Sequence, residues 1–198
     1  FSVRYVGSWK LFSPDSSHIA YAALEDKIFS GRKWHMVVDG KEIRQHSGIG
    51  ILAPVFSQDG KHLAYAVQTG KSWRMVVDGV AGKEHDRIES GSYAFSPDGK
   101  RFIYVAKVDE DKDDQGNNDD DEDEKINKYE ISFVVENNNE DRQYDRIGGA
   151  PVYSPDSRHV AYIARRDGKY FMVMDGKEES RQYAHSSPGN LMFSPDSN

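Results

Sequence analysis

The sequence has no cysteine. Disulfides, thiolate metal sites and cysteine nucleophiles are therefore excluded, while the compartment stays open. No apolar run approaches the roughly 18 residues a membrane-spanning helix needs. No secretory leader pattern is visible, although a sequence that opens on Phe1 rather than Met leaves a processed leader open. Nucleophile elbows of the GxSxG type, P-loops and paired histidines at HxH or HxxxH spacing are also missing. Basic residues form no stripe of the kind that tracks nucleic acid. Of the 198 residues, 37% are hydrophobic and 30% charged, which is polar for a globular domain. An aromatic content of 12% argues against disorder. The net charge of -7 is a local matter: residues 109–124 hold eleven acids and one lysine, a charge of -10, and the remainder carries +3.

A repeat organises what is there. The phrase "FSPDSSHIAY" at Phe12 returns as "FSQDGKHLAY" at Phe56, "FSPDGKRFIY" at Phe95 and "YSPDSRHVAY" at Tyr153, then as a truncated "FSPDSN" at Phe193. A second phrase follows each full copy: "WHMVVDGKE", "WRMVVDGVAGKE", "ISFVVENNNE" and "YFMVMDGKE". In "FSPDGKRFIY", Pro97 presets φ and Gly99 permits a positive φ, so Ser96 to Gly99 can close a hairpin. The Asp-Gly pairs at 39–40, 78–79 and 175–176 are two-residue hairpin signals. Flanking runs are rich in Val, Ile, Tyr and Phe, which favour strands. Each repeat therefore reads as four strands; in repeat two they fall near Ala53–Ser57, His62–Val67, Trp73–Val77 and Glu84–Ile88. No segment shows a capped helical period.

Four antiparallel strands per roughly 40 residues is the blade of a β-propeller, with a β-solenoid as the runner-up. The fold class is thus all-β: four-stranded antiparallel blades, four complete repeats (about 7–46, 47–88, 89–147 and 148–185) and partial stretches at 1–6 and 186–198. Residues 1–6 align with the outer strand that precedes a repeat, as "HDRIES" does at 85–90. The whole is a single propeller domain or a fragment of one. The phrase "FSPDGKR..Y" resembles the hallmark of TolB-like propeller repeats, and the resemblance covers nearly the whole chain. It implies fold and, from the periplasmic members, an extracytoplasmic location; it implies little about activity. Some prolyl-oligopeptidase-type peptidases carry a propeller of this look, and oligogalacturonate lyases set histidines at a metal on one. No such histidine cluster maps onto this sequence.

Most repeated residues read as framework. Tyr21, Tyr65, Tyr104 and Tyr162, with Trp34, Trp73, Tyr170, Met36, Met75 and Met172, return at fixed strand positions and are expected in the blade core. Asp15, Asp59, Asp98, Asp156 and Asp196 are expected to accept hydrogen bonds from turn backbone. His18, His62 and His159 share a position with Arg101, which suggests that it faces solvent. His35, His46, His85 and His185 fall near strand ends and loops.

Departures from the repeat are where function is sought. The spacing of 58 residues between Phe95 and Tyr153, against 39 and 40 for its neighbours, locates an acidic insertion at 109–124 in one strand-two-to-three hairpin. Such loops share a face with the blade-to-blade connections, where ligands bind. "DKDDQGNNDDDE" fits D-x-D-x-[DN]-G-x5-E with one departure, Gln115 at the fifth position. Asp111, Asp113, Gln115, Asn117, Asp119 and Glu122 would then hold calcium around the turn at Gly116. A solvated acidic loop and a loop that docks a basic partner remain as alternatives. With no catalytic constellation, the chain reads as a non-catalytic scaffold for a protein partner or small ligand on the loop face, with no nucleic acid and no membrane span. An accessory propeller of a larger enzyme such as a peptidase, or a propeller lyase, is the alternative.

Overall fold

Eighteen β-strands and no helix make up the described residues of the computed structural model, which are 2–27, 31–46, 48–49, 53–109, 130–184 and 191–196. No helix among them is long and apolar enough to cross a membrane. The strands form four sheets in chain order, each antiparallel throughout. The first blade runs β1 (Ser2–Phe12), β2 (Ile19–Lys27), β3 (Gly31–Val38) and β4 (Lys41–His46). In the second, β5 (Gly48–Ile49) and β6 (Val55–Phe56) both pair with β7 (Leu63–Thr69), followed by β8 (Ser72–Val77) and β9 (Val80–Ala81). The third repeats that plan with β10 (Arg87–Ile88), β11 (Ala94–Phe95), β12 (Phe102–Asp109), β13 (Glu130–Glu136) and β14 (Asn139–Glu140). The fourth runs β15 (Arg146–Tyr153), β16 (Val160–Arg166), β17 (Lys169–Met174) and β18 (Lys177–Glu178). The expected all-β class and four-stranded antiparallel blades are both present.

Two strand assignments change. Glu84–Ile88 is not one fourth strand: pairing with β8 resumes at Val80 and Ala81, and His85 bridges Trp73. Arg87 and Ile88 instead pair with Lys107 and Ala106 of the next blade. The reason is the tight turn before them. Asp78 and Gly79 both have positive φ, at 50° and 79°, so strand four restarts immediately after the turn and has ended before Arg87. Residues 2–6 likewise pair with β2, from Ser2 opposite Lys27 to Val6 opposite Ala23, and so belong to the first strand of their own blade.

One pattern of hydrogen bonds builds every turn between strands one and two. In the second blade the Ser57 hydroxyl donates to Asp59 Oδ1 at 2.6 Å, and the Lys61 N–H reaches the same oxygen at 3.2 Å. Ser57 Oγ accepts the His62 N–H at 3.0 Å. The same Ser-to-Asp bond recurs at Ser13, Ser96, Ser154 and Ser194. The turn acids are thus acceptors of framework bonds, as their recurrence suggests.

Successive blades are joined by apolar seams. Ala20 and Met36 of the first blade meet Phe56, Leu63, Tyr65 and Val76 of the second. Ala64 and Met75 of the second meet Phe102, Tyr104, Phe133 and Val135 of the third. Ile103, Val105 and Val134 of the third meet Tyr162, Phe171 and Val173 of the fourth. Each Val, Leu, Ile, Phe or Met among them contributes roughly 1.5–3 kcal/mol when fully buried. The core reading therefore holds for Tyr65, Tyr104, Tyr162, Met36 and Met75. Tyr21 and Met172 are only partly buried, because each faces the side of an end blade that no described blade covers. Trp34, Trp73 and Tyr170 are partly buried as well.

Candidate functional sites

Three histidines clip the two turns at one end of a blade together. His18, His62 and His159 each place Nδ1 2.7 Å from Oδ2 of Asp39, Asp78 and Asp175. The other oxygen of each carboxylate accepts the N–H that opens strand two, from Ile19, Leu63 and Val160 at 2.9–3.0 Å. The Ile19 N–H and then His18 hold the Asp39 carboxyl below its ordinary value. Burial pushes Asp175 up, but His159 and the Val160 N–H outweigh it and leave that carboxyl lowered too. An ionised carboxylate only accepts, so imidazole Nδ1 carries the proton. The rings are 37–44% exposed, as exchange with arginine at this position suggests. Arg101 does a different job in the third blade: it lies 3.1 Å from Glu136, stacks over Tyr153 and donates to the Ser157 carbonyl of the fourth blade.

Two of the remaining histidines are buried. His35 stands between two carboxylates, with Nδ1 3.2 Å from Glu42 and Nε2 3.5 Å from Glu25. Among the described residues no group of three or more His, Asp or Glu side chains is placed to hold a metal. His85 packs edge-on to Tyr104 and Phe133, with Nε2 3.1 Å from the Tyr104 hydroxyl. Burial lowers its pKa. Its backbone partner, Trp73, shows what it is: the bridges Trp73–His85, Ser132–Tyr144 and Tyr170–Tyr183 are one repeated contact. His85 occupies a tyrosine position of the framework, a role visible in the sequence only if "GKEH" is aligned with "DRQY" and "SRQY".

At each seam, one residue in or just past strand four of a blade and one residue from the last turn of the next share a single space. A Cβ on Gly82 would stand 2.6 Å from Asn138 Oδ1, so Gly82 leaves room for Asn138, whose Oδ1 accepts the Lys83 N–H at 3.1 Å. Asp141, at the position of Gly82, fills the next seam against Gly176, 3.6 Å from where its Cβ would be. Asp141 also accepts the Tyr162 O–H at 2.7 Å, and burial followed by that carboxylate keeps the phenol protonated. In the first seam the pair is Ile43 and Gly79, both lining a cavity of about 300 Å³. The second seam keeps only about 160 Å³.

The acidic insertion springs from the opposite end of the third blade, where Asp109 pairs with Glu130. Asp111, Asp113, Gln115, Asn117, Asp119 and Glu122 lie outside the described residues.

No family model matches the chain, and no curated protein does. Solved structures are similar in fold. The chain aligns over 92% of its length with Pyrococcus horikoshii acylaminoacyl peptidase, at 15% identity and a TM-score of 0.53, and covers 33% of that chain. It aligns over 89% with the β-propeller domain of the Trilobed protease from Pyrococcus furiosus, at 13% identity and a TM-score of 0.51, covering 56% of it. TolB from Acinetobacter baumannii aligns over 87% at 16% identity, with a TM-score of 0.38 and 41% of that chain covered. The chain thus spans between a third and somewhat over half of these solved chains. At these identities the first two alignments show the β-propeller fold and nothing finer.

Proposed function

We propose that the chain is a non-catalytic β-propeller scaffold for protein or ligand recognition, with the insertion of the third blade as a calcium-binding element. One observation carries this reading: the repeated polar residues serve the same backbone groups in successive turns, which is a framework role. The Ser-Asp and His-Asp pairs recur from blade to blade and serve the same backbone groups each time. The insertion is the large departure, and its charge of -10 favours a cation or basic partner. The strands on either side of it pair with each other up to Asp109 and Glu130. Asp111, Asp113, Gln115, Asn117, Asp119 and Glu122 are the oxygen donors we assign to calcium. A hard cation takes six to eight such oxygens, and a bidentate glutamate at the last position matters most. Calorimetric titration is expected to show saturable calcium binding that weakens about tenfold or more in Glu122→Ala. Equal, loose binding by both proteins would leave a solvated loop or a loop for a basic partner.

An accessory propeller of a larger enzyme is the second reading. It is favoured by the alignment with an acylaminoacyl peptidase, of which this chain covers 33%, and with the propeller domain of a protease. It stands or falls on whether the natural protein carries a hydrolase domain beyond these residues.

A further inference from the structure

We propose that the seam between the first and second blades binds a small hydrophobic amine, a primary ammonium carried on a branched or aromatic hydrocarbon. The seam opens among the turns at the end of the blades opposite the acidic insertion, so this inference does not depend on calcium. It extends the scaffold reading by naming a ligand.

The room comes from which residues fill the seam. At the other two seams the filler is polar and already engaged: Asn138 takes the Lys83 N–H, and Asp141 takes the Tyr162 hydroxyl. Here the filler is Ile43, 45% exposed, and a Cβ on Gly79 opposite would meet nothing within 4 Å. The resulting cavity of about 300 Å³ is walled by Val38, Phe56, Leu63 and Tyr65. That volume lies at the lower end for small-molecule sites, and apolar walls with a few polar groups at the mouth are their usual composition.

The mouth selects charge. Asp39 and Asp78 flank it, with side chains 42% and 44% exposed. Each carboxylate receives one imidazole and one backbone N–H, which leaves each oxygen a further lone pair. Lys61 also lines the cavity, with its ammonium 3.3 Å from Asp59 of its own turn, and the Lys41 ammonium acts on Asp39 from outside it. Two carboxylates above an apolar cavity suit a cation with a hydrocarbon tail and repel an anion of the same shape. No bond is made or broken, and the amine leaves unchanged.

The test is a calorimetric titration of the whole chain at low ionic strength with 2-phenylethylamine, 2-phenylethanol and 3-phenylpropanoate. The amine is expected to bind saturably at one site, the alcohol about tenfold more weakly, and the carboxylate not measurably. Gly79→Asn introduces the residue that the third blade carries at the same turn position, where Asn138 adopts a φ of 70°, so the turn is retained. This variant is expected to lose amine binding, and Asp39→Asn to weaken it about tenfold. The proposal is overturned by equal binding of amine and carboxylate, by unchanged affinity in Gly79→Asn with its circular dichroism intact, or by the absence of saturable amine binding. Consumption of the amine would contradict the scaffold reading while leaving the site itself in place.

Discussion

Truncation of Phe133 to alanine is expected to lower the stability of the chain by about 3–5 kcal/mol. Phe133 is 3% exposed and belongs to the cluster that joins the second blade to the third. Its ring packs edge-on to His85 at 5.5 Å, so the substitution removes an aromatic contact as well as apolar area. The space left is bounded by strands on both sides and has little freedom to collapse. Phe171 is 4% exposed, occupies the same position in the fourth blade and packs against Tyr144 at 5.7 Å. Phe171→Ala should therefore cost about as much. Met192, 79% exposed, is the contrast: Met192→Ala is expected to stay within about 0.5 kcal/mol. Urea denaturation of the three variants measures all of these. Equal, small losses in all three would mean that the seams do not hold the blades together.

Acid is expected to unfold the chain by acting on every blade at once. Hydrogen bonds from Ser13 and Ser17 lower the Asp15 carboxyl from 3.8 to about 2, and those from Ser57 and Lys61 lower Asp59 equally. Bonds from Ser96 and Ser154, each followed by a backbone N–H, lower Asp98 and Asp156. The sign follows from the direction. A carboxyl with a folded-state pKa below its unfolded value contributes stability that is fully present above the unfolded value, and loses it as pH falls through the folded one. Each group is exposed, so salt screens it and its separate contribution is modest. The effect is large because it recurs from turn to turn with one sign. The thermal midpoint should be insensitive to these groups above about pH 5 and fall steeply between about pH 4 and 2. Ser57→Ala removes the main donor to Asp59, so the Asp59 titration followed by NMR should move up toward the ordinary carboxyl value. A midpoint that stays level to pH 2 would contradict this account of the turns.

The blades were legible in the sequence because their turns are local chemistry. Asp-Gly at 78–79 specifies positive φ at two successive residues, and Ser57, Asp59 and His62 lie within six residues of one another. Recurrence then carried that local signal through the whole chain. The seam fillers were not legible, for a reason that is also physical. Ile43 with Gly79, Gly82 with Asn138, and Asp141 with Gly176 compensate each other across blades: the glycine of the turn recurs except at Asn138, while its partner changes from Ile43 to Gly82 to Asp141 and looks like loop variation. The same holds for His85, which does a tyrosine's work beside Tyr104. The first strands misled because one stretch serves two sheets: His85 bridges back to the second blade while Arg87 and Ile88 already pair in the third. Of the candidate sites, the sequence located the acidic insertion, and the first seam emerged only from the packing of two blades.

The central claim is that each blade is its own antiparallel sheet and meets the next blade through contacts that involve side chains. NOE spectroscopy on labelled protein tests it directly. The account expects backbone contacts between Val105 and Val134 and between Tyr65 and Val76, within single repeats, together with side-chain contacts between His85 and Tyr104 across a seam. A solenoid would instead stack equivalent strands of successive repeats. In-register backbone contacts between Tyr65 and Tyr104, without the Val105–Val134 pair, would contradict the account.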